Sequence, residues 1–176
     1  YRWGPSGEAR PTFSVEEIAR IVEVARSSGR YVVAHAGTAE GMRRAIVGGV
    51  ETIDHGDGGT PEVWALMKEK NVALCATLAA PDATAQYAGW KKGQEPEPTR
   101  LQEKRAAFQQ AMKAGVRLCF GGDVGVFPHG DNVRELELMV AAGVTPAEAA
   151  RIATSGNADT FHLGARLGRV KRGLLA

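Results

Sequence analysis

The chain has 176 residues, with 22 Lys+Arg against 20 Asp+Glu for a formal net charge of +2, 44% hydrophobic and 24% charged residues. That balance excludes a disordered tail and gives no general electrostatic case for binding nucleic acid or an anionic membrane. No apolar run approaches the roughly 18 residues of a membrane span, whereas 22 glycines, against about 7% in an average protein, imply many tight junctions.

The chain opens at Tyr1 rather than Met, in the loop-like stretch Tyr1-Arg2-Trp3-Gly4-Pro5, and so reads as processed or as a fragment. The segment from Phe13 to Gly29 carries a helix signature: Ser14 as N-cap, Glu17 closing a capping box, an apolar face at Val15, Ile18, Val22 and Ala25, and Gly29 as the stop. The apolar run from Tyr31 to Ala36 is too short for a helix and reads as a buried strand. Thr38 caps a helix carrying Met42, Ala45 and Ile46, and a strand follows from Val50 to His55. Thr60-Pro61 supplies an N-cap and an N1 proline for the helix from Val63 to Lys70, ended by Asn71 before a strand from Val72 to Ala79.

Residues 81–99 read as a long insertion, the helix from Arg100 to Ala114 stops at Gly115, and a strand runs from Val116 to Gly121. Asp131 or Asn132 caps the next helix, and Thr145-Pro146-Ala147-Glu148 opens another. Cys75 and Cys119, each inside an apolar run, read as reduced core thiols, the ground for expecting a cytoplasmic location.

One helix, four β-α units and a final helix, with continuous apolar strands, predict an α/β protein with a parallel sheet covered by helices. A doubly wound open sheet and part of a (β/α)8 barrel both fit this order. Three strand ends bear on the choice: His35, His55 and Asp123 all stand at carboxyl ends, where parallel α/β proteins build their sites. Imidazoles and a carboxylate are ligands of zinc and related divalent ions. Adjacent strands lie about 4.8 Å apart, but the strand of Asp123 is three steps from that of His35, about 14 Å in a flat sheet, so a shared site requires curling and favours the barrel. The competing reading makes each a structural residue, a core histidine or a helix-capping aspartate. Asp54 faces the helix layer in this register and requires a hydrogen-bond partner.

These stretches resemble the carboxyl-terminal half of the metal-dependent amidohydrolase superfamily, in the branch around imidazolonepropionase and the Xaa-Pro dipeptidase-like hydrolases. The matching segments are Val32-Val33-Ala34-His35-Ala36, Gly41 to Ile46 leading into Gly49 to Gly56, and Phe120-Gly121-Gly122-Asp123-Val124-Gly125 with His129 just beyond. Thr145 to Ala149 and Leu167-Gly168-Arg169-Val170 also match in order and spacing.

The resemblance implies the carboxyl-terminal half of a (β/α)8 TIM barrel, strands 5 to 8 with their helices, truncated before a small β domain. Residues 1–164 would be the partial barrel and 165–176 the start of the connection. It further implies that His35 and His55 are metal ligands, and that Asp123 both ligates metal and moves a proton from the attacking water to the leaving nitrogen. His129 would contact substrate, a role weighed equally with that of a turn residue, while His162 has no matching role and reads as surface. The cofactor implied is a divalent metal, most simply zinc, with one or two ions undecided.

The expected partner is a small amide or dipeptide-like substrate, with no nucleic acid and no membrane. A missing amino-terminal half-barrel and a homo-oligomer are further expectations. Two departures stand out: many relatives carry His-Ala-His where this chain has His35-Ala36-Gly37, and Thr or Ser where Gly122 precedes the aspartate. Residues 1–12 would be the loop after the fourth strand. In the insertion, Lys91 and Lys92 read as a solvated pair ahead of a role in attracting a carboxylate. The rival reading from another class is a non-catalytic half-barrel that only self-associates; a third is an open-sheet ligand-binding domain.

Overall fold

The computed structural model describes residues 2–175; Tyr1, in the expected loop 1–12, and Ala176, in the expected connection 165–176, lie outside the described residues. The chain divides into two compact units, Tyr1–Ala76 with Ala106–Arg117, and Thr77–Arg105 with Leu118–Ala176.

The first unit begins with β1 (Arg2–Trp3) and β2 (Ala9–Arg10), which pair antiparallel, so the expected loop 1–12 contains a small hairpin. Helix α1 (Val15–Ser27) opens on the predicted capping box: Ser14 Oγ accepts from the Glu17 N–H at 3.2 Å, and Glu17 Oε2 accepts from the Ser14 N–H at 2.8 Å. Then come β3 (Val33–Ala36), α2 (Ala39–Val47), β4 (Thr52–His55), α3 (Pro61–Glu69) and β5 (Ala73–Cys75). Thr38 and Thr60 cap α2 and α3 as predicted, by accepting from the Gly41 and Val63 N–H groups. Asn71 follows α3 at φ 55°, a left-handed stop that asparagine tolerates.

Strands β3, β4 and β5 are parallel and adjacent in that order. Their register sets His35 opposite Asp54 and Ala36 opposite His55. Met42, Ile46, Ile53, Trp64, Met67 and Leu74 are all at most 3% exposed, the core expected where helices cover continuous apolar strands. A Cβ on Gly48 would lie 2.4 Å from Ile18 Cγ2, so glycine there lets α1 and α2 approach closely. The Leu74 N–H donates to the Arg117 carbonyl at 2.8 Å, tying the end of the 106–117 segment to β5.

The second unit departs from expectation at its first element. Residues 79–87, mostly within the predicted insertion, form helix α4 (Ala79–Tyr87). Its first turn tolerates Pro81 because N–H groups there have no intrahelical acceptor. The chain continues through α5 (Thr99–Ala114), whose carboxyl-terminal part belongs to the first unit, to β6 (Leu118–Cys119), shorter than the predicted strand 116–121. Helix α6 (Val133–Ala141) has Asn132 at its N-cap, but no side chain makes the capping bond that was expected there.

Helix α7 (Pro146–Arg151) is opened by Thr145 Oγ1, which accepts from the Glu148 N–H at 3.3 Å. It passes into a π-helical turn, Ile152–Gly156, and then α8 (Asn157–Thr160). Ala79, Ala83 and Phe127 form a buried cluster, with Val124, Val126 and Leu138 packed against it.

Two further observations bear on the sequence reading. Cys75 and Cys119 are both disulfide-bonded, and no free cysteine remains among the described residues, which corrects the expectation of reduced thiols. Burial in apolar runs, at 5% and 3% exposure, suits a bridged cysteine as well as a thiol, and the ground for a cytoplasmic location goes with the correction. Among the described residues no helix is long and apolar enough to cross a membrane.

Candidate metal and catalytic site

In the first unit the parallel register brings His35 and His55 together. Their ring centroids are 4.4 Å apart at an interplanar angle of 71°. His35 is exposed on β3 and His55 half-buried at the end of β4. The backbone turns sharply after β4: His55 has φ 72° and Gly56 φ 68°. This turn is fastened to the end of β3, because the Gly56 N–H donates to the Ala36 carbonyl at 3.1 Å and the Gly58 N–H to the Gly37 carbonyl at 3.1 Å. A Cβ on Gly58 would stand 2.9 Å from that Gly37 oxygen, so the glycine permits the approach.

Two imidazoles converging from neighbouring strand ends fit part of the donor set of a catalytic zinc site. Among the described residues, however, no group of three or more His, Cys, Asp and Glu side chains could hold a metal ion. Asp54, opposite His35, is half-buried and has an interaction partner.

Asp123 belongs to the second unit. It is exposed, four residues beyond the end of β6, and takes φ 62°. Its carbonyl accepts from the Val126 N–H at 3.3 Å, and Phe127, 2% exposed, anchors the following turn in the core of this unit. A Cβ on Gly122 would lie 3.1 Å from Phe127 Cζ, so this ring closes the space beside the glycine. His129 is exposed within a turn in which the Asp131 N–H donates to the Pro128 carbonyl at 3.3 Å. His162 is exposed, in keeping with its surface reading.

Of the two insertion lysines, Lys92 is committed: its Nζ lies 2.8 Å from Asp82 Oδ2. The Asp82 side chain is 6% exposed and also receives Arg134 at 2.7 Å and Gln86 at 2.8 Å. Lys91 and Lys92 are both exposed, as the solvated reading expects, and Lys92 in addition pairs with a buried carboxylate.

Two residues around the strand ends escaped the sequence reading. Glu135, 1% exposed, accepts from the Leu78 N–H at 3.0 Å and the Ala79 N–H at 2.7 Å, and so caps α4. Burial pushes its carboxyl up to about 7, against those two N–H groups and the Lys104 charge, which favour the anion. Asn157 bonds both main-chain groups of Phe120: Oδ1 accepts from the N–H at 2.8 Å and Nδ2 donates to the carbonyl at 2.8 Å. The available sequence signal was a polar amide following Gly156 inside an otherwise helical run.

Comparison with known proteins gives this arrangement a context. The amidohydrolase family model matches residues 4–176. The ochratoxinase of Aspergillus niger is 36% identical over 151 residues, covering 81% of this chain and 30% of that protein. A solved Xaa-Pro dipeptidase with methionine bound in its active site superposes with a TM-score of 0.85 at 32% identity, covering 95% of this chain and 42% of the dipeptidase. A prolidase solved with N-methylphosphonate-L-proline gives a TM-score of 0.79 at 28% identity, covering 93% and 41%. The chain thus spans less than half the length of each of these relatives. With the family model matched from Gly4 to the last residue, and a relative 36% identical over four fifths of it, this chain belongs to the amidohydrolase family.

Proposed function

We propose that the protein carrying this chain is a metal-dependent amidohydrolase that cleaves an amide or peptide-like C–N bond with water, and that the chain is the second half of its (β/α)8 barrel. The observation that carries the reading is the pairing of His35 and His55 at 4.4 Å on adjacent parallel strand ends, in a chain of this family. The half-barrel reading draws support from β3, which has β4 on one side, and from exposed Phe13, Ile21 and Val33 around an open apolar cleft of about 410 Å³ beside it.

In this reading His35 and His55 would serve as imidazole donors to a divalent ion, most simply zinc, and Asp123 as a carboxylate donor. When bound, the ion supplies a lowered pKa for the attacking water and polarisation of the scissile carbonyl. Asp123 accepts the proton that the water loses as its oxygen bonds to the carbonyl carbon. The same carboxyl then returns that proton to the amine nitrogen as the C–N bond breaks, so no net proton is consumed. His129, in the exposed turn beyond Asp123, contacts the substrate.

The substrate class is a small amide or dipeptide-like molecule, with Xaa-Pro dipeptides the first candidates because an Xaa-Pro dipeptidase and a prolidase are among the similar structures. The test uses protein expressed from the complete reading frame. Amine release from a panel of Xaa-Pro dipeptides and N-acyl amino acids is expected, with Asp123→Asn lowering kcat about 10²- to 10⁴-fold. Hydrolysis that survives Asp123→Asn would sink the assignment. Absence of any turnover together with self-association would favour the non-catalytic reading.

A further inference from the structure

In the second unit, Phe120 directly follows β6 and has both its main-chain groups bonded by the Asn157 amide, each at 2.8 Å. A side chain here does what a neighbouring strand does, satisfying a donor and an acceptor of one residue at once. Asn157 reaches Phe120 from the end of the π-helical turn Ile152–Gly156. Such a turn holds one residue more than an α-turn, and that extra residue rotates everything after it by about 100° around the axis. Ile152 and Ala158, at 3% and 2% exposure, keep the turn packed on either side of Asn157.

Asp123 lies three residues beyond Phe120, across Gly121 and Gly122, in a left-handed conformation that an aspartate visits only occasionally. Two glycines cannot impose that conformation by themselves. On the far side the Asp123 carbonyl accepts from Val126, and buried Phe127 fixes the turn. On the near side the fixed point is Phe120, held by Asn157.

We infer that Asn157 is a positioning residue: by clamping both main-chain groups of Phe120 it sets the start of the Gly-Gly segment and thereby aims the Asp123 carboxylate for proton transfer. The inference rests on the proposed role of Asp123. A misplacement of about 1 Å in a reacting group can cost about 100-fold in rate, which sets the scale of the effect. The Asn157 amide is engaged with the Phe120 main chain, so in this proposal its loss affects turnover rather than substrate affinity.

The experiment compares wild type, Asn157→Ala, Thr154→Ala and Asp123→Asn in protein expressed from the complete reading frame. Thr154 controls for loosening of the same π-turn, because among the described residues its Oγ1 bonds within the helix, to the Ala150 carbonyl at 2.7 Å and the Arg151 carbonyl at 3.5 Å. Asn157→Ala is expected to lower kcat about 10- to 100-fold with KM within about threefold. Hydrogen exchange at the Phe120 amide, which needs no turnover, is expected to accelerate in Asn157→Ala and to remain slow in Thr154→Ala.

If Asn157→Ala does not fold, Asn157→Asp carries the test. It keeps an acceptor for the Phe120 N–H and loses the donor to its carbonyl, so kcat is expected to fall at unchanged KM. The inference is overturned if kcat of the Asn157 variant stays within about twofold of wild type, or if Thr154→Ala lowers it equally. An inactive Asp123→Asn beside a fully active Asn157 variant removes this inference alone, whereas an active Asp123→Asn removes the catalytic reading beneath it.

Discussion

His55 and Asp123 hold φ angles of 72° and 62°, and Thr77, two residues past β5, holds 53°. Left-handed backbone costs a non-glycine residue about 1–3 kcal/mol, and it persists only where the surroundings over-determine it. At His55 the surroundings are visible: the Gly56 and Gly58 N–H bonds to the end of β3 hold the turn that swings the imidazole toward His35. If the strain is retained for the sake of the side chain, a residue lacking Cβ should relax it. His55→Gly is therefore expected to be more stable than His55→Ala by about 1 kcal/mol in urea denaturation, the reverse of the usual order. The same inversion is expected for Asp123→Gly against Asp123→Ala, and the ordinary order at both positions would show that the turns carry no such strain.

Gly56 gives a sharper case, since a Cβ there would also stand 2.6 Å from Leu74 Cδ1. Gly56→Ala is expected to cost about 2–4 kcal/mol, and Gly93→Ala, at φ 80° with open space around it, only about 1 kcal/mol. Equal losses from the two variants would mean that Leu74 moves aside freely.

At the scale of elements, the boundary between what could be read and what could not follows the range of the capping bonds. Ser14, Thr38, Thr60 and Thr145 cap helices through bonds three residues away, so the signal lies within one turn of sequence. Helix α4 has no such local mark: Leu78 stands at its N-cap, and the acceptor for its first N–H groups is Glu135, 57 and 56 residues downstream. A proline in its first turn then read as the start of an insertion. The π-turn before Asn157 was invisible for a related reason, because one extra residue in a helix leaves no break in composition. The strand-end histidines were legible because parallel register is a simple count.

The distant cap also makes a pH prediction. Burial raises the Glu135 carboxyl from 4.5 to about 7, so the folded chain holds this proton more tightly than the unfolded chain does. Stability from this site is therefore complete below about pH 4.5 and declines as pH rises through about 7. Glu135→Gln, which cannot titrate and accepts one N–H fewer, is expected to be less stable than wild type at pH 4.5. That difference should narrow toward pH 7.5 in paired urea titrations. A gap that is constant or widens with pH would refute the assignment of the proton to Glu135.

For the whole molecule, the issue is what a metal ion does to the folding equilibrium. An ion bound by the folded protein alone stabilises it by about 2.7 kcal/mol when present at 100 times its Kd, so metal binding is measurable without any substrate. His35 and His55 come from separate β-α units, and their rings meet only when β3 and β4 are paired in register, so the pair does not exist in the unfolded chain. With protein expressed from the complete reading frame, added zinc is expected to raise the melting temperature and a chelator to lower it. His35→Asn and His55→Asn should each remove most of the shift.

Because both rings serve one ion in this reading, their effects should also be non-additive: the double variant loses little more than either single variant. If Asp123 is a donor to the same ion, as proposed, Asp123→Asn reduces the shift as well. A zinc-induced shift that survives in the double histidine variant would place the ion elsewhere. If the shift disappears in both histidine variants but is untouched by Asp123→Asn, the two histidines bind metal without that carboxylate, and the proton-transfer role would then have to stand on kinetics alone.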